Sequence, residues 1–152
     1  MGLISNDFLD FIKALNLYKV RYILVGGYAV VLRGYSRSTG DMDIWIEPTE
    51  ANYYSMIRAF AHFGLPTNAF TLQAFVGTQM DVFSFGVEPQ AIDIMTAVKG
   101  LSFTTTYNNA TIQPYEDCEI RVIHIQQLIQ AKQASGRHKD LNDIEHLKKI
   151  ME

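Results

Sequence analysis

Two aspartates stand one residue apart in Asp41-Met-Asp43-Ile-Trp-Ile46. In an extended strand, side chains at i and i+2 project to the same side. Asp41 and Asp43 therefore share one face, and Met42, Ile44 and Ile46 share the other. Carboxylates about 6–7 Å apart repel by about 2–3 kcal/mol at an effective dielectric near 20. A strand has reason to hold such a pair where a cation offsets it. Mg2+ suits the task, because it uses one or two carboxylates together with substrate phosphates; Mn2+ takes the same oxygen ligands. A third acid has the same setting: in Ala91-Ile-Asp93-Ile-Met, Asp93 points away from Ile92 and Ile94. Three acids on adjacent strands could hold two metal ions for an in-line phosphoryl displacement. Taken singly, each reads better as a solvent-face or strand-edge acid. The flanking pattern shared by all three favours the metal.

A second chemical signal is Gly26-Gly27, between the apolar run Tyr22-Ile-Leu-Val25 and a short apolar helix. Backbone N–H groups at such a strand-to-helix turn can cradle a phosphate, and glycine lets the phosphate come close. Tight turns use glycine for other reasons too, so the pair alone carries little. The chain has neither GxGxxG nor GxxxxGK[ST], so the dinucleotide and P-loop readings lack their motifs.

The elements that must position these residues follow from periodicity and punctuation. Phe8, Leu9, Phe11, Ile12 and Leu15 predict a helix over Asn6–Leu17 with Ser5 as N-cap. A buried strand from Arg21 ends at Gly26-Gly27, and a helix from Tyr28 to Arg33 stops at Gly34. The Asp41 strand stops at Pro48; Thr49 caps a helix over Glu50–Phe63, ended by Gly64 and Pro66. A short helix near Ala69–Phe75 precedes strands over Met80–Phe85 and Ala91–Thr96. A small strand pair, Ala110–Gln113 and Glu119–Ile123, surrounds Tyr115-Glu-Asp. Helices over Ile125–Ser135 and Leu141–Met151, broken at Gly136, close the chain. The expected class is mixed α/β (α+β) with mostly short strands.

Composition narrows the function classes. The 152 residues fit one domain, residues 1–152, with an apolar fraction of 48% that supplies a core. The chain has no run of 18 or more apolar residues that could span a bilayer. The N-terminus lacks the basic start and apolar stretch of a signal peptide, and Asn6 breaks the myristoylation pattern. One cysteine, Cys118, excludes an internal disulfide and a cysteine-based zinc site. A reducing compartment, the cytoplasm, is expected. A net charge of −3 argues against a broad electrostatic grip on nucleic acid. His62, His124, His138 and His146 lack metal-ligand spacing.

Together, Gly26-Gly27, thirteen intervening residues, Asp41-Met-Asp43 and the later Asp93 resemble the DNA polymerase β-type nucleotidyltransferase superfamily. The wider context, VGGYAVVLRGYSRSTGDMDIWI and AKQASGRHKDLNDIEHL, resembles small bacterial nucleotidyltransferase-like proteins near the AbiEii-type abortive-infection toxins. The resemblance implies a minimal palm-like mixed sheet flanked by helices. It implies that the glycine turn holds a nucleoside triphosphate, and that Asp41, Asp43 and Asp93 bind two Mg2+ ions. Asp93 would help activate an acceptor hydroxyl, and a nucleoside monophosphate would be transferred with release of pyrophosphate. Arg37 and Thr39 are expected to orient the acids or touch phosphate. Lys132, Arg137, Lys139, Asp140 and Asp143 match the later AbiEii-like motifs, and the first four are candidate nucleotide-binding residues. Arg137 and Lys139 read as well as partners of Asp140 and Asp143 that tie two helices together, or as solvated side chains. The chain departs from the pattern in two ways. No Ser or Thr follows the first glycine, and the chain is shorter than members that carry a substrate-recognition domain.

Two main functions stay open, beside a nucleotide-binding sensor without transfer. One is an active transferase whose acceptor is a protein, a tRNA end or a small hydroxylated molecule. The other is a catalytically weak binding module that holds a partner in a toxin–antitoxin or phage-defence system. No membrane role is expected.

Overall fold

The computed structural model describes residues 4–68, 71–77, 82–86 and 90–152. Helix α1 (Asn6–Leu17) starts where the Ser5 hydroxyl accepts from the Phe8 N–H, and buries the apolar face that its spacing predicts. Strand β1 (Tyr22–Val25) is buried at every position and runs directly into α2 (Gly26–Leu32). Strand β2 (Met42–Ile46) carries Asp43, with Met42, Ile44 and Ile46 all buried. Helix α3 (Glu50–Phe63) is capped by Thr49, which accepts from the Asn52 N–H, and ends on Gly64 at φ 101°.

Beyond it lie α4 (Leu72–Val76), β3 (Val82–Phe85), β4 (Ile92–Met95) and α5 (Phe103–Asn109). A hairpin of β5 (Thr111–Tyr115) and β6 (Cys118–Val122) and two helices, α6 (Ile125–Ser135) and α7 (His138–Met151), complete the chain. Ala69, Phe70, Met80 and Asp81, which began two of the expected elements, lie outside the described residues.

The six strands form one mixed sheet in the order β3-β4-β2-β1-β6-β5. The β2–β4 and β1–β6 pairs are parallel; the other three are antiparallel. On the face away from Asp43, Phe60 of α3 packs against Phe85, and Phe11 of α1 packs against Phe60. On the Asp43 face, buried Trp45 sits two residues along β2 and meets Phe103 of α5 edge-on at 5.3 Å. Helices flank the sheet as expected for this fold class. Among the described residues, no helix is long and apolar enough to cross a membrane.

Two elements differ from the sequence expectation. Helix α5 was not anticipated, because Phe-Thr-Thr-Thr-Tyr-Asn-Asn is built of poor helix formers. Tertiary packing overrides propensity there: Phe103 packs on Trp45, and the buried Thr106 hydroxyl donates to the Ser102 carbonyl at 2.7 Å. Helix α7 begins at His138 rather than Leu141. Its polar first turn hides the start from a hydrophobic pattern, yet Asp140 at the third helical position accepts from the Arg137 N–H.

Candidate active site

The parallel β2–β4 register places Asp43 directly opposite Asp93, and the antiparallel β1–β2 register places Val25 opposite Asp43. Both carboxylates thus lie where β1 hands over to the glycine turn. Burial first, then the Asp93 charge and a hydrogen bond with it, push the Asp43 carboxyl up to about 7. Asp41 adds to the rise, and Lys132 opposes it. Asp93 is held from the far side by Ser84 of β3, whose hydroxyl donates to Oδ1 at 2.6 Å. Asp41, just ahead of β2, accepts from the Ala91 N–H at 3.1 Å, which joins the entries of β2 and β4.

The two glycines have no room for a side chain. Gly26 sits at φ 69°, and the Asp43 carboxylate fills the place of its Cβ. At Gly27 that place is taken by the Thr39 hydroxyl, with an Arg37 guanidinium nitrogen 3.3 Å away. Close packing of the Asp43 carboxylate, the Thr39 hydroxyl and the Arg37 guanidinium on bare backbone is the physical reason for the pair.

The cations form a network that no sequence spacing reveals. Lys132 of α6, 6% exposed, reaches Asp140 Oδ1 at 3.3 Å and Asp143 Oδ2 at 3.1 Å. Arg37 grips Asp143 with both ends of its fork, donating to Oδ1 at 2.9 Å and Oδ2 at 3.0 Å. Arg137 donates to Asp140 Oδ2 at 2.8 Å. Burial alone would raise the Asp140 carboxyl. Hydrogen bonds from Arg137 and Ser135, with the charges of Lys132 and Arg137, instead hold it far below the usual carboxylate range. Three cations on two buried acids leave one positive charge in excess beside Asp43. Lys139 is exposed and, among the described residues, has no ion-pair partner.

A cleft of about 510 Å3 gathers these groups. Asp41, Asp43 and Asp93 line it together with Gly26, Gly27, Arg37, Thr39, Lys132, Arg137 and Lys139. Asp140 and Asp143, essentially inaccessible, lie beneath it with their oxygens engaged by the cations. The structure therefore brings together ten of the eleven sequence-predicted site residues in one cleft wall and sets Asp140 under it. Sequence reasoning missed Ser84; an alternating strand opposite Asp93 was its only signal.

Among the described residues, no three His, Cys, Asp or Glu side chains close around one point as a ready-made metal cage. The donor chemistry fits a different kind of site. Burial and the neighbouring Asp93 charge disfavour ionisation of Asp43, which is the imbalance a divalent cation relieves. A magnesium ion completed by phosphate oxygens needs only one or two protein carboxylates.

This mixed sheet, with paired acids facing a glycine turn, is the frame of a nucleotidyl-transferring protein. The chain belongs to the family described as "Nucleotidyltransferase of unknown function (DUF6036)", whose model matches residues 6–151. No curated protein matches the sequence. Among solved structures, it is similar to the lincosamide antibiotic adenylyltransferase LnuA in its lincomycin-bound form. That likeness has a TM-score of 0.61 at 19% identity and covers 99% of both chains. It is also similar to TM1012 of Thermotoga maritima, provisionally described as a nucleotidyltransferase. There the TM-score is 0.62 at 16% identity, over 99% of this chain and 96% of the other. Both likenesses concern the fold. Both neighbours also have nearly the same length, so the chain is not short beside them.

Proposed function

We propose that the protein transfers a nucleoside monophosphate from an NTP to a hydroxyl group of a small-molecule acceptor, in a Mg2+-dependent reaction that releases pyrophosphate. One observation carries the reading: Asp43, held back from ionising by burial and the Asp93 charge beside it, packs against bare Gly26 backbone in a cleft that also holds Arg37, Lys132, Arg137 and Lys139.

Each side chain has a task in that scheme. Asp41, Asp43 and Asp93 would hold the metal, with two ions where phosphate oxygens supply the remaining ligands. The metal would supply charge neutralisation at the α-phosphate and lower the acceptor hydroxyl's pKa. Gly26 and Gly27 let the triphosphate lie against backbone N–H groups. Arg137 and Lys139, at the cleft mouth, neutralise phosphate oxygens, while Lys132 contributes charge from beneath. Asp140 and Asp143 position Lys132, Arg37 and Arg137 rather than touching the nucleotide. Asp93, steadied by Ser84, accepts the acceptor proton as the new oxygen–phosphorus bond forms. The α–β phosphoanhydride bond breaks, and its electron pair leaves with pyrophosphate.

The small-molecule acceptor is supported by the fold neighbour LnuA, a lincosamide antibiotic adenylyltransferase solved with lincomycin bound. A reaction that draws on NTPs, in a chain whose one cysteine is free and buried, suits the cytoplasm. The test is thermal melting with each NTP, with and without Mg2+ or Mn2+, for the wild type and Asp43→Ala. A nucleotide at 100 times its dissociation constant adds about 2.7 kcal/mol. A metal-dependent stabilisation absent from Asp43→Ala supports the reading. No stabilisation by any nucleotide rejects it and favours the partner-holding module of an AbiEii-like system.

A further inference from the structure

A second cleft, of about 480 Å3, meets the first at Gly26, Asp43, Asp93, Lys132 and Arg137. The two are displaced from each other along the parallel strands. Asp41, which precedes Asp43, lines only the polar cleft; Met95, which follows Asp93, lines only the second. The walls differ in kind as well. Val25, Val82, Met95, Val98, Leu128 and Ala131 make the second cleft the more apolar of the two, beside the charged groups that it shares with the first.

Its wall is built rather than accidental. The loop that carries Val98 and Lys99 is latched to α6, where the Gln130 side chain donates to the Gly100 carbonyl at 3.0 Å. Gly100 adopts φ 87°, and a Cβ there would stand 2.9 Å from that of Ala134. The loop can lie this close to the helix only through glycine.

We infer that this apolar cleft is the acceptor site, and that the acceptor is a small hydroxylated molecule with an apolar arm and no positive charge. The assignment rests on the nucleotidyl-transfer reading above. In-line displacement needs the attacking oxygen and the departing pyrophosphate on opposite sides of the α-phosphate. With phosphates in the polar cleft, the attacking hydroxyl comes from the apolar one, past Asp93. The nucleoside leaves phosphorus off that line and does not need this cleft. The volume lies in the range of drug-sized pockets.

Charge sets the acceptor's sign. Lys99, Lys132 and Arg137 face the cleft. Asp140 is already engaged by Lys132 and Arg137, and Asp43 and Asp93 are committed to the metal. Among the described residues, no acid pairs with Lys99. A cationic acceptor would meet that lysine without an offsetting carboxylate.

The experiment is calorimetric titration of the wild type, Ala131→Phe and Val98→Trp, two fillings of the cleft from separate walls. Three probes are used: the α,β-methylene analogue of each NTP with Mg2+, octyl β-glucoside below its micelle concentration, and kanamycin. Wild type is expected to bind an NTP analogue and octyl glucoside but not kanamycin. Both fillings should weaken octyl glucoside at least tenfold and leave the nucleotide dissociation constant within twofold. A tenfold loss of nucleotide affinity in both fillings would assign the cleft to the nucleoside and overturn the inference, leaving nucleotidyl transfer intact. Failure of octyl glucoside to bind, or binding of kanamycin there, would overturn it too. Failure of wild type to bind any nucleotide would remove the underlying reading, and the acceptor site with it.

Discussion

Asp43→Asn should stabilise the metal-free protein at neutral pH while abolishing its response to metal and nucleotide. The reason lies in the buried pair. Burial, the Asp93 charge and the hydrogen bond with it push the Asp43 carboxyl up to about 7, from an ordinary value near 3.8. The folded protein therefore keeps a proton on Asp43 between about pH 4 and pH 7 while the unfolded chain releases it. Stability falls as pH rises through that window and levels off above it. The gap corresponds to a penalty on the order of 2–4 kcal/mol at pH 8. Asparagine keeps the shape and a hydrogen bond to Asp93 but carries no charge. Urea unfolding of both proteins in EDTA at pH 8 should show the variant more stable by about that amount, or about 5–10 °C in Tm. Near pH 4 the two should converge. With Mg2+ and an NTP the order should reverse, because only the wild type gains. A variant less stable than wild type in EDTA at pH 8, or a difference independent of pH, would refute the reasoning.

Other substitutions test other parts of the site. Gly26→Ala forces a Cβ into the space of the Asp43 carboxylate at positive φ; nucleotide-dependent stabilisation should disappear, with a loss of about 1–3 kcal/mol on unfolding. Lys132→Met leaves Asp140 and Asp143 each with one cation, Arg137 and Arg37 respectively, and should cost about 3 kcal/mol by urea titration. Ser84→Ala removes the 2.6 Å donor to Asp93 on an exposed strand position. It should change stability by less than about 0.5 kcal/mol and weaken metal-dependent turnover at saturating NTP. Asp140 contributes in the opposite pH sense to Asp43. Its carboxyl is held low in the fold, so its contribution is present at neutral pH and is lost only under acid, below about pH 4. Asp140→Asn should flatten that acid limb of the stability curve.

The strands and the glycine turn were legible because their signals are local. Apolar residues alternate about Asp43 and Asp93, Pro48 and Gly64 bound their elements, and Ser5 and Thr49 cap helices where expected. Parallel strands buried on one face then carry the acids to one side without further information. What the sequence hid is long-range or counter to propensity. Arg37 and Asp143 lie 106 residues apart, so no spacing could tell that a bidentate pair joins the loop before β2 to α7. The sequence offers Lys132 as a nucleotide contact but does not show that it is buried, held by two acids that follow it across the Gly136 break. The three threonines of α5 mask a helix that tertiary packing sustains, through Trp45 against Phe103 and the Arg21 and Arg121 guanidiniums over Tyr107. Ser84 could be found only once β3 was known to lie beside β4.

The most direct test of nucleotidyl transfer follows the α-phosphate itself. Wild type and Asp43→Asn are incubated with each α-32P-labelled NTP, Mg2+ and a pool of small hydroxylated compounds, and the products are separated by mass. Label should pass from one NTP to a low-mass product, with an equal amount of pyrophosphate released, in the wild type alone. Label that stays in the NTP, or moves equally well with Asp43→Asn, would contradict the account.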